Sequence, residues 1–535
     1  MAVTEISYAD AMLAQLNPEA HANIIAVFER TCAAQSRQTA FSCGDYSLRF
    51  EELETYSRAF AAYLLSECGL ARGDRIAIQL PNSLPYPIVA WGALRAGLIL
   101  VNTNPLYTER ELRHQFNDAG VKALVVQADL LASTAAVIPH TSVERLIVAQ
   151  AGDFLADHPC DEYPEAVSLA QALGKGQRLT LPNFAATMDD VALLQYTGGT
   201  TGVAKGAVLS QGNLFASAAQ ASANIDLEDG KQEIIIAPMP LYHVYGFTWN
   251  VISSCLRGAH SVLIPNARDI DALIQAMKSH RFTGFAGVNT LFAALMRHPQ
   301  FDQIDFSQLT GSIAGGAATV TSIAEEWQRR TQSQLFEGYA LSETTSSLAC
   351  NTETDNRLGT VGKPMPAMAV KTVNAAGETL GSGAEGELLV RGPQVLQGYW
   401  GRPEATAEAL DADGWFRTGD IAVIEDDGFI RIVDRLKDMI LVSGFNVYPN
   451  EIEDVVSGHP GIVECAVVGV KDERTAEAVK VFAVSSDPTL TADQLRTYCR
   501  RELTAYKVPK QVEFVAELPK SNVGKILRRE LRSKN

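Results

Sequence analysis

The stretch LLQYTGGTTGVAKGAVLS, residues 193–210, sets four glycines, three threonines and a lysine behind a short apolar run. Glycine lets backbone N–H groups approach an anion closely, threonine hydroxyls add donors, and one lysine supplies charge. Such a loop suits phosphate. It is not the triphosphatase loop G-x-x-x-x-G-K-[ST], because Lys205 precedes Gly206 and no hydroxyl residue follows to hold magnesium. The competing reading is a plain glycine-rich turn between a strand and a helix, and the loop alone does not separate the two.

Four further motifs follow in order: GYALSETT (338–345), WFRTGD (415–420), DRLKDMILVSGFNVYPNEIE (434–453) and PKSNVGKILRREL (519–531). Together with YTGGTTGVAKG they resemble the adenylate-forming superfamily of acyl-CoA synthetases, luciferases and peptide-synthetase adenylation domains. The resemblance runs over essentially the whole chain. The last two motifs, with LTAYKVPKQVEF between them, look like those of bacterial long-chain fatty acid–CoA ligases. What the resemblance implies is an α/β protein. Its large N-terminal domain of helix-covered sheets, residues 1–434, includes a β-rich distorted-barrel subdomain. A small mobile α+β domain, residues 435–535, would carry a hinge and a catalytic lysine. The implied reaction activates a fatty acid with ATP as an acyl-adenylate, releasing pyrophosphate, and passes the acyl group to CoA, with Mg2+ as cofactor.

Bringing a carboxylate onto the α-phosphate joins two anions, so positive charge and fixed donors are required. By resemblance, Thr197, Gly198, Gly199, Thr200, Thr201, Gly202 and Lys205 grip the outer phosphates. Tyr339 stacks on adenine, Ser342 meets the α-phosphate, and Glu343 with Thr197 ligates magnesium through the hard oxygens that ion prefers. Asp420 and Arg435 hold the ribose, a carboxylate being able to accept both hydroxyls of a cis-diol. Gly316 and Ala317, in IAGGAATV, give backbone contacts along adenine and the acyl pocket. Lys525 bridges the substrate carboxylate and the α-phosphate as a flexible point charge. Lys437 stands at the hinge, and Gly444 would let pantetheine approach. Ala340, Ser342, Ala318 and Thr319 depart from the family's usual residues, which leaves the pocket shape open. Taken singly, Glu343 and Lys525 would read as a solvated acid and a solvated tail lysine.

The segment IIIAPMPLYHVYGFTWN (234–250) has no Asp or Glu. A buried substrate ammonium would lack a partner there, which disfavours amino acids. By resemblance His243 lies beside the substrate carboxylate, and Tyr245 or Phe247 lines the acyl pocket; the alternative is that these aromatics are core. GFAGVNTLFAAL (284–295) would add pocket wall. A medium-chain or aryl acid–CoA ligase, and a non-catalytic nucleotide-binding homologue, remain as competing readings.

Positioning these residues takes alternating helices and strands. Leu53, Tyr56, Phe60 and Leu64 recur at helical spacing, RIAIQL and VKALVVQ read as strands, and Thr108 with Glu111 makes a capping box. Asp427-Gly428 marks a hairpin, and NEIEDVVSGHP a helix stopped by Pro. With 535 residues, 47% hydrophobic and 20% charged, the chain is a multi-domain globular protein. A net charge of -17 argues against nucleic acid as partner. Eight scattered cysteines without a CxxC suggest buried thiols in a reducing compartment. No export signal is visible, and LPYPIVAWGALRAGLILVN, broken by two prolines and Arg95, reads as helix plus buried strand. A cytoplasmic protein is expected. The last 29 residues carry eight Lys/Arg against three Glu, so a basic tail could dock at the inner face of the membrane; a homodimer is also compatible.

Overall fold

The computed structural model describes residues 23–532, except 158–162, 164, 183–184, 198–203, 223–230, 317–318, 473 and 522–523. Alternating β and α segments in the first half make two parallel-type sheets, as crossover connections require. One sheet of eight strands centres on Arg75–Gln79, Ile99–Asn102 and Val121–Gln127 and ends in three antiparallel strands, Val191–Thr197, Lys205–Ser210 and Gly398–Tyr399. The other, of nine strands, runs in parallel from Gln334–Tyr339 through Gly311–Ala314, Gly284–Gly287, Ile234–Ala237 and His260–Leu263 to Thr39–Cys43. The β-rich part is a four-stranded antiparallel sheet whose last hairpin, Phe416–Ile424 with Ile430–Arg435, turns at Asp427-Gly428 as expected.

The helix Phe50–Ser66 buries Leu53 and Phe60 on the stripe its periodicity marks. The helix Glu109–Ala119 starts at Thr108, whose hydroxyl and the Glu111 carboxylate form the reciprocal cap. Helix Pro85–Arg95 is buried along its whole length and leads to the buried strand Ile99–Asn102. Its one charge is compensated. The Arg95 guanidinium, 1% exposed, lies 3.1 Å from Glu29 and 3.2 Å from Glu54, over the Phe28 ring. Phe28 in turn stacks on Trp91 at 4.0 Å. Among the described residues, no helix is long and apolar enough to cross a membrane. The seven described cysteines are free thiols, six of them buried; Cys160 lies outside the described residues.

After Arg435 a separate five-stranded sheet forms around the antiparallel pair Ile462–Asp472 and Ala476–Ser485. Helices Pro449–Ser457 and Ala492–Glu502 cover one face with Ile452, Val456, Leu495 and Cys499. Leu518 and Leu531 cover the other.

The turn Val244–Gly246 leads into a π-helix, Phe247–Ser253, that walls the cavity described below. Gly246 has no room for a side chain, since a Cβ would fall 2.2 Å from the Pro240 carbonyl oxygen. Gly246→Ala should therefore lower the thermal unfolding midpoint, at a cost of about 1–3 kcal/mol from overpacking. Gly152→Ala, where a Cβ meets nothing within 4 Å, should stay within about 0.5 kcal/mol of wild type. Equal calorimetric midpoints for the two variants would contradict the packing described.

Candidate active site

The five motifs meet around one cavity of about 1930 Å³ between the larger sheets and the C-terminal sheet. Thr197, Lys205, His243, Tyr245, Gly316, Tyr339, Ser342, Glu343, Asp420, Arg435, Lys437 and Lys525 all line it. Gly198, Gly199, Thr200, Thr201, Gly202 and Ala317 lie outside the described residues, as does Ala318.

The glycine-rich loop does not join a strand to a helix. It joins two antiparallel strands, with Thr197 and Lys205 as directly paired residues at its two ends. Pairing at that register brings both ends of the loop to one spot on the cavity rim. Lys205 Nζ sits 5.2 Å above the Tyr399 ring, and the Tyr399 hydroxyl donates to Glu343 Oε1 at 2.9 Å. Tyr399 was not legible as a site residue. It sits in the two-residue strand Gly398–Tyr399, which pairs onto Lys205–Ser210 and so reaches the loop from 200 residues downstream.

The turn after strand Gln334–Tyr339 is tight. Thr345 and Ser346 both take left-handed backbone, φ 49° and 63°, a conformation costly for non-glycine residues and over-represented at working sites. Ser217 Oγ fixes the turn by donating to the Thr345 carbonyl, and Thr345 Oγ1 donates to the Gln394 carbonyl. Ser342 and Glu343 are thereby presented to the cavity. Thr319, one of the departures from the family pattern, bonds the buried Glu337 carboxyl, whose pKa burial raises to about 7.

Asp420 and Arg435 are register partners across the hairpin, with Arg435 Nε 3.0 Å from Asp420 Oδ1. That approach lacks hydrogen-bond alignment, so buried Oδ1 has no hydrogen-bond partner, while Oδ2 accepts from the Tyr339 hydroxyl. Burial pushes the Asp420 carboxyl up, against the pull of Arg435 and Lys525. An acceptor with a spare lone pair faces the cavity.

Lys525 enters from the C-terminal part. Its backbone is clamped by Ser521, whose N–H donates to the Lys525 carbonyl at 2.7 Å and whose Oγ accepts from the Lys525 N–H at 3.1 Å. The side chain runs past Gly316 (φ 84°), where a Cβ would come 3.2 Å from Lys525 Cε. Burial and then Arg435 lower the Lys525 pKa to about 8. Burial, with Lys525 second, lowers His243 to about 3, so its imidazole is neutral. His243 Nδ1 accepts the Tyr245 N–H at 3.3 Å, which places the ring proton on Nε2. The site thus sets a neutral imidazole donor beside the Lys525 ammonium.

Two expectations are corrected. Phe247 does not line the cavity; it is fully buried in the main core, edge-on to Tyr86 at 6.4 Å, because the π-helix turns it away while Tyr245 faces in. The basic tail is not a free cationic face. Lys507 pairs with Glu451, Lys510 with Asp472, Lys520 with Glu464, and Arg528 and Arg532 with acids near the hinge segment. Gly444 lies outside the cavity, at the tip of hairpin Ile440–Val442 and Phe445–Val447, with φ 86°.

The largest feature missed from sequence is the anchor behind Lys525. The Arg528 guanidinium holds Glu453 through two bonds, Nε–Oε1 at 2.9 Å and Nη2–Oε2 at 2.6 Å. It also meets Asp434 Oδ1 at 3.2 Å and Asn450 Oδ1. Arg532 adds Asp438 at 3.0 Å. Asp434 is 1% exposed and also accepts the Asn450 N–H at 2.8 Å. Three segments, the end of strand Ile430–Arg435, helix Pro449–Ser457 and the C-terminal helix Arg528–Arg532, are tied together beside Lys525. All of these residues but Arg532, which follows the last motif directly, fall inside the quoted motifs, and nothing in their spacing pairs them.

Two family models match the chain: "AMP-binding enzyme" over residues 28–400 and "AMP-binding enzyme C-terminal domain" over 451–525. A long-chain-fatty-acid–CoA ligase of Salmonella typhimurium is 46% identical over 97% of this chain and 96% of its own. A solved anthranilate CoA ligase, AuaEII, in complex with anthranoyl-AMP superposes with a TM-score of 0.88 at 25% identity, covering 96% of this chain and 97% of that one. ATP-bound MatB from Rhodopseudomonas palustris gives 0.84 at 27% identity, covering 96% and 99%.

Replacing Arg528 by Met leaves Glu453 and Asp434 as uncompensated acids, a loss of about 3 kcal/mol for a largely buried pair. Amide hydrogen exchange over residues 519–532 should then accelerate on the order of a hundredfold, while the core helix Phe50–Ser66 keeps its protection. Unchanged exchange over 519–532 would show that Arg528 does not anchor the Lys525 segment.

Proposed function

This chain belongs to the AMP-binding enzyme family, and on that premise we propose that it is an ATP-dependent long-chain fatty acid–CoA ligase of the cytoplasm. The fatty acid carboxylate attacks the α-phosphate of ATP, pyrophosphate leaves, and the CoA thiol then takes the acyl group from the adenylate. The observation that carries the reading is the placement of Lys525, from the C-terminal part, in one cavity with Lys205, Glu343, Asp420 and Arg435. The near-full-length relative named as a long-chain ligase supports the choice of acid.

In this reading Thr197, Lys205 and the glycines between them hold the outer phosphates. Tyr339 and the Gly316–Ala317 backbone flank adenine, and Ser342 meets the α-phosphate. Asp420 Oδ1, free of a hydrogen-bond partner, accepts from the ribose with Arg435 beside it. Neutral His243 donates from Nε2 to the substrate carboxylate, and the Lys525 ammonium spans carboxylate and α-phosphate as their charge merges. Tyr245 borders the acyl chain. Mg2+ would be held mainly by phosphate and water, with Glu343 and Thr197 contributing oxygen. Bound there, the ion would neutralise phosphate charge. For the second step Lys525 must withdraw, with Lys437 at the pivot and Gly444 carried toward the pantetheine.

Lys525→Ala should lower acyl-adenylate formation on the order of 10²–10³-fold yet largely spare thioester formation from supplied acyl-adenylate and CoA. Equal loss of both half-reactions sinks the assigned role. Because the buried ammonium has a pKa of about 8, its charged form is lost as pH rises through that value. The kcat/KM for adenylation should fall above about pH 8, and Lys525→Arg should move that limb upward.

A further inference from the structure

Beyond Tyr245 the cavity continues between the π-helix and one face of the nine-stranded sheet. Gly284 and Gly311, paired in register, both line it, as does Gly315, with Ile313 and the Phe336 ring beside Gly311 supplying apolar wall. From Gly315 back to Gly311 the strand covers about 13 Å at its usual rise. An extended alkyl chain, with carbon–carbon bonds of about 1.5 Å, fits on the order of ten carbons in that distance.

At the far end the lining turns polar. Glu233, 5% exposed, faces Arg257 at 3.0 Å, and the Arg257 guanidinium lies 5.5 Å from the ring of Trp249 on the cavity wall. The ion pair lacks hydrogen-bond alignment, so Glu233 Oε2 and the guanidinium nitrogens have no hydrogen-bond partner among the described residues. Ser253 Oγ and Thr248 Oγ1, on the π-helix and also lining the cavity, are buried at 0% and 3% and likewise unpartnered. Orphaned buried polar atoms are few in folded proteins and call for a cause. Here Glu233, Thr248 and Ser253 line the same substrate cavity, with Arg257 paired to Glu233 outside the lining. A methyl terminus arriving there would strip water from an ion pair and two hydroxyls and give nothing back, whereas an oxygen would pair with them.

We propose that this deep end is a polar subsite selecting acids that carry a hydroxyl at the end remote from the carboxylate over plain alkyl acids of the same length. The inference rests on the acid–CoA ligase reading above and deepens it. The donors are Ser253 and Thr248; the acceptor for the substrate hydroxyl proton is Glu233, which Arg257 holds from outside the cavity lining.

The test uses the full chain with ATP, CoA and matched pairs of acids: decanoic, dodecanoic and tetradecanoic, each against its ω-hydroxy counterpart. At the length that reaches Glu233, the ω-hydroxy acid should have a kcat/KM about tenfold higher. The Ser253→Ala, Thr248→Val double variant should bring that ratio toward one, its thermal midpoint reporting that it folds. Should it not fold, Gly284→Ala carries the same test. Its Cβ finds room 3.7 Å from Glu233 Oε1 and should obstruct the approach of the hydroxyl, again lowering the ratio. Plain acids matching or beating their counterparts at every length, or a ratio that survives the substitutions, overturns the subsite. Failure to activate any acid at all would instead overturn the ligase reading, and the subsite with it.

Discussion

An ammonium cannot be kept in a dry cleft unless something else fixes the chain that carries it, and this constraint organises the molecule. Lys525 gains little from its surroundings. Burial and Arg435 work against its charge, and only Asp420 works for it. The position is imposed from behind. Arg528, three residues on, is held by Glu453, Asp434 and Asn450, and Arg532 by Asp438. Those partners belong to the segment where the chain leaves the larger sheets, so the same contacts that seat the lysine also define where the C-terminal part meets the rest. Guanidinium is the group for such a seat, because its planar fork binds two carboxylates in fixed directions at once.

The remaining charges of the site are arranged around two phenols. Lys205 is directed over Tyr399, Tyr399 donates to Glu343, and Tyr339 donates to Asp420. Each carboxylate is steadied by a phenol, Asp420 with Arg435 beside it as well, which leaves the lysine ammonium protons for a nucleotide. His243 supports the same economy of charge. Its proton-poor ring adds direction without adding a second positive group against Lys525. On the proposed reaction, such a site offers most where negative charge accumulates between carboxylate and phosphate.

Much of this was legible in the sequence, and what was not has a physical reason. Helices Phe50–Ser66 and Glu109–Ala119, the strands between them and the Asp427-Gly428 hairpin follow from periodicity, caps and turn residues. These are local signals. The motif residues Lys205, Tyr339, Glu343, Asp420 and Lys525 converge as the family resemblance implied. Phe247 was misread because two residues apart on a helical turn place it and Tyr245 on opposite sides, and nothing in the sequence says which side is the cavity. The strand on the far side of the glycine-rich loop, where a helix was an alternative, is set by pairing with residues 191–197. Tyr399 and Arg528 escaped because their partners lie 56 and 75 residues away. Acids and bases are interchangeable on paper until the fold chooses pairs, as the tail shows: its lysines were counted as free charge and are tied to Glu451, Asp472 and Glu464.

Arg95 has a consequence for biogenesis. While the chain is being made, residues 84–102 emerge as a strongly apolar run before Glu29 and Glu54 have been packed against them. A central arginine adds about 2.5–3.5 kcal/mol to the cost of entering a bilayer. In the finished molecule the same guanidinium is enclosed at 1% exposure between two carboxylates. The side chain that raises the cost of burying the bare segment in lipid is thus the one that, once paired, closes the protein's interior.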